Sequence, residues 1–361
     1  MEENRNDILQ MVRDYVQTHK KLCVLAGLAL VLVICTAGCY HWLNQAPEIP
    51  NRPVETPSDT PQPSPAPGPS GNEGTDPEPG KDPAGSTAQN PENPIRELKR
   101  RENFYTFVVA GTNDGYNTDT NLLGGIDVNT HKVTLMSIPR DSMVDRDVKY
   151  RKINNAYGRA GVEEFKDELE ELTGVYPDFY CVLNLKAFVK IVDLVGGVEF
   201  NVPYDMYHQD GISTIDLKKG LQVLDGEKAL QLVRFRGTSA NDFGRTQVQR
   251  DFIAAMLRQV TGNMTLSNIT GILDAVVKNL KTDMDVQNML WFFTNVISKM
   301  DFGSDLFMTV APTEGTGKYK GQDYVYLDPQ GVVDTVNSGI NPYTVPLIVE
   351  DLHIVNLRDP K

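Results

Sequence analysis

Cysteine, histidine and net positive charge are all scarce in this chain, and each shortage removes a class of protein. Of the four cysteines in 361 residues, Cys23, Cys35 and Cys39 share one apolar segment, which leaves Cys181 alone in the remainder. No disulfide can form within the C-terminal region, and no C-x-x-C pattern offers a thiolate metal site. Cys181 stands between Tyr180 and Val182 with no His or Lys beside it, the setting of an inert core thiol. The five histidines are scattered with none paired at i, i+4, so the helical zinc-hydrolase pattern is missing. Lys and Arg number 35 against 48 Asp and Glu, a formal net charge of -13, so no global basic field is available to attract nucleic acid. A local cationic cluster in so acidic a chain is correspondingly informative.

Long apolar runs are also scarce, with one exception. Leu22 to Cys39 carries no charge, Lys20 and Lys21 precede it, and Tyr40, His41 and Trp42 follow. Such a run matches the roughly 20 residues needed to cross a hydrocarbon core. Lysines before it and an interfacial Trp after it orient the N-terminus inside and the C-terminus outside. Residues 1–21 are therefore expected as a cytoplasmic tail and 22–43 as an uncleaved transmembrane helix of a single-pass cell-membrane protein. The competing reading is a cleaved signal, since Thr36-Ala37-Gly38-Cys39 resembles a lipoprotein cleavage site. Against it, Thr36 stands where an aliphatic residue is usual and the preceding segment is long. Residues 44–94 then hold 14 of the chain's 22 prolines amid Ser, Gly, Asp and Glu. Nothing there can build a core, so a disordered, partly polyproline spacer is expected, giving reach from the membrane surface.

The folded region is expected over 95–361 as one extracellular domain. Phe104 to Ala110 is a short apolar run closed by Gly111, the pattern of a buried strand. Thr120 to Val128 and Lys132 to Ile138 read as an antiparallel hairpin around Asn129-Thr130. Counted outward from that turn, Asp119 and Arg140 are equidistant, so they are expected side by side at the open end. The loop bearing Asp114 reaches the same edge if the Phe104 strand joins the sheet. Asp114, Asp119 and Arg140 together would seat a hard divalent cation and a phosphate, although each Asp alone is more often a turn or cap residue. Val162, Phe165, Leu169 and Leu172 mark a helix face ending at Gly174. A strand over Asp178 to Leu185, a helix to Val195 and a strand over Val198 to Val202 follow. Strands alternating with helices indicate an α/β domain.

Leu232 to Gln249, LVRFRGTSANDFGRTQVQ, concentrates unusual chemistry. Asp225 is placed to cap a short helix, from whose end Arg234 and Arg236 emerge. After a Gly- and Ser-bearing loop with Asp242, residues Arg245, Gln249, Phe252 and Met256 fall on one helix face that opens polar and ends apolar. Such a stripe suits a ligand with an anionic head and a greasy tail, and arginines gathered near a helix start favour phosphate. The alternative is a surface salt-bridge patch.

These segments share their order and spacing with one known family. Gly111-Thr112, Asn117-Thr-Asp-Thr120, Ser137-Ile-Pro-Arg-Asp141, Lys152-Ile-Asn-Asn-Ala-Tyr157, Val195-Gly-Gly-Val-Glu199, Leu217-Lys-Lys-Gly220, Leu224-Asp-Gly-Glu-Lys-Ala229, Val233-Arg-Phe-Arg236 and Asp242-Phe-Gly-Arg245 resemble the LytR-CpsA-Psr family. The resemblance implies a mixed-sheet α/β/α domain with a hydrophobic polyprenyl pocket. It further implies a phosphotransferase that moves a glycopolymer, such as a teichoic acid or capsular polysaccharide, from a polyprenyl-pyrophosphate carrier onto peptidoglycan. Pyrophosphatase side activity and Mg²⁺ (or Mn²⁺) as cofactor go with it. Carried over by position, Asp119 is a metal ligand, with Asp114 as its expected companion. Arg140, Asp141, Arg234, Arg236 and Asp242 are expected as catalytic residues, and Arg140, Lys152, Arg234, Arg236, Arg245 and Gln249 as the pyrophosphate site. Asp141 and Asp242 are both open as proton acceptors for the attacking hydroxyl. The sequence departs from the family pattern at two positions: Asn113 stands where the first metal-site aspartate is usual, and Asn117 where many members carry Arg. They keep a rival reading in play, a non-catalytic surface module that binds lipid-linked polymer. A transcription regulator is excluded on topology, because the folded domain is expected outside and the tail is too short to bind nucleic acid.

Overall fold

The computed structural model describes residues 45–50, 98–112, 115–209, 214–235, 242–263 and 266–358. The expected transmembrane helix, most of the spacer, Asn113, Asp114 and Arg236 lie outside them. Among the described residues no helix is long and apolar enough to cross a membrane.

A six-stranded mixed sheet forms the centre. Strands β1 (Phe104–Thr112), β2 (Thr118–Asp127) and β3 (Lys132–Ser137) are consecutive antiparallel neighbours. Strand β4 (Phe179–Asn184) runs parallel to β1, and the short β9 (Lys281–Thr282) closes that side. On the other edge β10 (Leu306–Val310) pairs parallel with β3, so the C-terminal part of the chain completes the same sheet. The β2–β3 register pairs Asp127 with Lys132 and Leu122 with Ser137, as counting from Asn129-Thr130 requires. The turn itself is relieved at His131, which takes a φ of 56°. Asp119 and Gly111 fall inside β2 and β1 rather than beyond their ends.

Helices cover both faces, because alternate residues of each strand point to opposite sides. On one face Val108, Ala110, Leu123 and Met136 meet α1 (Ile153–Ala160), α2 (Val162–Thr173) and α8 (Pro329–Gly339) through Ile153, Phe165, Leu169, Val332 and Val336. On the other, Tyr105, Val133, Leu135 and Phe179 pack against Trp291 and Phe292 of α7 (Val286–Asn295), with edge-on aromatic contacts such as Tyr105–Phe292 at 5.1 Å. Helix α2 ends where the sequence indicates: Gly174 adopts φ 72° and its amide donates to Glu170 O, an αL cap that an L side chain would strain.

A second cluster sits beside the sheet. Helix α3 (Leu185–Leu194) starts where Asn184 Oδ1 accepts from Ala187 N. Helix α4 (Gly226–Arg234) starts where Asp225 Oδ1 accepts from Lys228 N at 2.8 Å. Two antiparallel strand pairs, β5 (Val198–Val202) with β8 (Gly220–Leu224) and, between them in the chain, β6 (Met206–Gln209) with β7 (Thr214–Leu217), join them, followed by α5 (Asp242–Asn263) and α6 (Leu266–Val277). Phe200, Leu224, Leu232 and the wholly buried Phe252 of α5 form this core. A hairpin, β11 (Thr313–Tyr319) with β12 (Gln322–Leu327), braces the segment after β3.

Candidate functional site

Strands β1, β3, β4 and β10 all point the same way, and their carboxyl ends define one rim of the sheet, the side on which open α/β sheets carry ligands. Asp119 reaches this rim from the start of β2, while Arg140 and Asp141 follow the end of β3. Their side chains meet: Arg140 Nη1 donates to Asp119 Oδ1 at 2.5 Å, and Arg140 Nε lies 3.7 Å from Asp141 Oδ2. Lys152, the residue that opens α1, donates from Nζ to Asp141 Oδ1 at 2.8 Å. The result is a chain of alternating charge, Asp119–Arg140–Asp141–Lys152. Arg140 and Asp119 are about two-fifths exposed, at 41% and 40%, so a ligand has access to both.

Backbone bonds fix this group. Val325 N donates to Asp141 O and Met143 N to Val325 O, which ties the segment after β3 to β12. The first-turn amides of α1 then donate back, Ile153 N to Ser142 O and Asn154 N to Arg140 O. Lys152 thereby returns beside Asp141 although 11 positions separate them. The β1–β2 loop is seated on α1 as well, since the Tyr116 ring fills the space where Gly158 lacks a side chain. Three side chains within two positions of the charged group in sequence, Thr118, Asn121 and Ser142, are wholly buried, and among the described residues Thr118 Oγ1, Asn121 Oδ1 and Ser142 Oγ have no hydrogen-bond partner. Each such atom costs about 1–3 kcal/mol, and uncompensated costs of this kind concentrate at functional sites. Sequence reading missed all three; for Thr118 and Asn121 the only signal was a polar residue within a strand, and Ser142, in the segment after β3, gave none.

The remaining expected site residues divide in two. Arg234 is exposed at the end of α4, and Gln249 of α5 donates from Nε2 to Val233 O at 3.0 Å. The Gln249 amide thus caps one of the unpaired carbonyls of α4, a structural task that the inward phase of the helix did not reveal. Among the described residues no hydrogen bond or ion pair joins Arg234 or Gln249 to the Asp119–Lys152 group. Asp242 and Arg245 lie in the first turn of α5, and their side chains, like Asp114 and Arg236, fall outside the described residues. Cys181 is half-buried on β4, and burial pushes its thiol up to about 12, so it carries no nucleophile.

For a metal, the donor set is sparse. Among the described residues no three His, Cys, Asp or Glu side chains gather. What the rim offers is the accessible Asp119, with Asp141 on the other side of Arg140. Magnesium keeps several waters and binds through one or two carboxylates plus phosphate oxygens, so this set fits it as a partner of a bound phosphate and fits no metal that needs a closed protein cage.

A mixed sheet between helical layers, with an accessible Asp–Arg–Asp–Lys group at the strand ends, defines an α/β/α protein with a charged sheet rim. Comparison with known proteins narrows this. The sequence profile of the LytR_cpsA_psr family matches residues 86–337, and the chain belongs to that family. It is similar to a polyisoprenyl-teichoic acid–peptidoglycan teichoic acid transferase TagU of Enterococcus faecalis, at 33% identity over 48% of this chain and 56% of the relative. A TagU of Oceanobacillus iheyensis is 28% identical over 68% of this chain and 78% of the relative. The chain spans about half the length of most of the curated relatives it matches. Its fold is shared with the crystal structure of Bacillus subtilis TagV, with a TM-score of 0.58 and 21% identity over 66% of this chain and 96% of that one.

Proposed function

We propose that the protein transfers a glycopolymer from a polyprenyl-pyrophosphate carrier to peptidoglycan at the outer face of the cell membrane, anchored by residues 22–43. Family membership and the names of its relatives support the reaction class. The observation that carries the proposal for this chain is the accessible Asp119–Arg140–Asp141–Lys152 group at the carboxyl ends of the parallel strands.

Arg140 and Lys152 are cations already held in charge-assisted hydrogen bonds, so a phosphate oxygen can replace a carboxylate partner without leaving either cation unpaired. Their pre-set positions favour charge that develops on the pyrophosphate as its bridging P–O bond breaks. A peptidoglycan hydroxyl attacks the phosphorus nearer the polymer, its proton passes to a carboxylate, and prenyl phosphate leaves with the electron pair of the broken bond. Asp141, held against Lys152, is one proton acceptor within this group, and Asp242 is the other candidate. Asp119, together with Asp114, would hold Mg²⁺ (or Mn²⁺), whose charge would offset that of the pyrophosphate oxygens. Arg234, Arg236 and Arg245 are assigned to the far phosphate, and Gln249 to positioning the end of α4 that carries Arg234. Pyrophosphatase side activity follows if water takes the place of the acceptor hydroxyl.

The test is to incubate the full chain in detergent with polyprenyl-pyrophosphate-linked polymer and Mg²⁺ and to measure prenyl phosphate. Its release supports the transferase. Retention of intact donor without release would transfer the assignment to a surface module that binds lipid-linked polymer.

A further inference from the structure

Next to the charged group, on the other side of Lys152, the β11–β12 hairpin and the loop before α1 enclose a cleft of about 470 Å³. This lies within the size range that holds small ligands, roughly 300–1,000 Å³. Its walls are unusual for an acidic chain. Tyr150, Tyr319 and Tyr324 line it together with Lys149, Lys320 and Gln322. Every tyrosine ring has a cation near it: Lys149 Nζ is 5.0 Å from the Tyr150 ring centre, Lys320 Nζ 5.1 Å from Tyr319, and Lys152 Nζ 5.5 Å from Tyr324. Arg151 adds a fourth charge at 5.4 Å from Tyr319. Arg151 is balanced by Asp145 and Lys152 by Asp141, whereas Lys149 and Lys320 have no carboxylate partner among the described residues. Asp147 is the cleft's own acidic residue.

The hairpin tip is built at a cost to place one of those charges. Tyr319 pairs with Gln322, so Lys320-Gly321 is a two-residue turn, with φ of 46° and 78°. Turns of this type prefer Asn-Gly or Gly-Gly, and a lysine in the left-handed region is disfavoured. Here that lysine brings its ammonium over Tyr319, whose phenol the Lys320 hydrogen bond, aided by Arg151, holds below the usual range. Backbone strain retained where a charge meets a cleft is the pattern of a binding site.

Tyrosine combines an apolar ring body with a polar tip, which matches the C–H faces and hydroxyl edges of a sugar ring. Ammoniums with no carboxylate partner among the described residues add affinity for a negative substituent. We propose that this cleft is a subsite for an anionic saccharide, one sugar unit of the polymer or glycan whose reacting phosphate or hydroxyl lies at Asp141 and Lys152. Lys152 bridges the two places, since its Nζ is bonded to Asp141 and faces Tyr324. The inference deepens the transferase reading by locating a sugar beside the reacting group, and it is tested by binding without turnover.

The experiment titrates the full chain in detergent, without carrier lipid, with four probes. These are a peptide-free N-acetylglucosamine–N-acetylmuramic acid disaccharide with its lactyl carboxylate free, a short sugar–glycerol phosphate oligomer, neutral chitotetraose and inorganic phosphate. An anionic saccharide is expected to bind more tightly than either control, and the muramyl disaccharide or the oligomer being preferred assigns the cleft to acceptor or donor. Lys149→Gln and Lys320→Gly should each weaken that binding at least about threefold, and together roughly tenfold. Lys320→Gly should fold at least as well as the wild type, because glycine tolerates the turn's φ, so lost binding cannot be ascribed to misfolding. Unchanged affinity in both variants, equal binding of chitotetraose or phosphate, or no binding of either anionic saccharide at millimolar concentration would overturn the proposal. Prenyl phosphate release from the carrier-linked donor, measured on the same preparations, reports on the transferase reading separately.

Discussion

Arg140→Ala should separate chemistry from folding. In the fold, Arg140 contributes one close pair with Asp119 and a longer contact with Asp141, all three side chains being between a third and two-fifths exposed. Exposed pairs of this kind contribute about 0–1 kcal/mol. Loss of the side chain should therefore lower stability by no more than about 1 kcal/mol, or roughly 2–4 °C in Tm for a domain of this size. In the reaction, the same guanidinium is assigned a charge-assisted bond to the transferring pyrophosphate worth about 1.5–3 kcal/mol, which converts to a roughly tenfold to 150-fold loss of turnover. The assay pairs prenyl phosphate release with thermal unfolding of the same full-chain preparation. Turnover within threefold of wild type in a well-folded variant would remove Arg140 from the chemistry. A Tm loss far above the stated range would mark it as structural.

Three further outcomes follow from particular contacts. Asp119→Asn should lower the magnesium dependence of prenyl phosphate release while leaving the fold intact; an unchanged dependence would place the metal elsewhere. Glu168 of α2 is fully buried against Arg159, and desolvation outweighs that partner to push its carboxyl from 4.5 up to about 7. The native state then keeps a proton that the unfolded chain releases, so this contribution is complete below pH 4.5 and fades as pH rises through about 7, by about 3 kcal/mol in all. Denaturant unfolding between those pH values should show the slope and Glu168→Gln should flatten it; equal slopes would refute the assignment. Gly124→Ala would set its methyl 2.3 Å from the Phe107 ring on the neighbouring strand and should cost about 1–3 kcal/mol by overpacking, read from a lowered denaturation midpoint.

The sequence revealed those parts of the fold whose signals are local. Turn-centred counting placed Asp119 beside Arg140 because a hairpin's register follows from its turn. Asp225 and Gly174 marked helix ends because capping is written in single residues, whereas the Asn184 cap of α3 emerged only in the structure. What escaped was set by distant partners. The seat of β10 beside β3 joins segments about 170 positions apart, and α8 covers the sheet without a pattern that distinguishes it from other short apolar stretches. The Lys152–Asp141 bond depends on a loop folded back by β12. Glu168 illustrates a signal that was present but unread. It sits three positions after Phe165 and four before Leu172 on the buried side of α2, where a carboxylate needs the partner that Arg159 supplies.

The most direct measurement follows a defined polyprenyl-pyrophosphate-linked polymer, the full chain and peptidoglycan through one reaction. The account predicts one prenyl phosphate released for each polymer joined to the wall by a phosphodiester, with both products lost together in Arg140→Ala. Tight retention of intact donor, with neither product formed and Arg140→Ala binding as well as wild type, would contradict it.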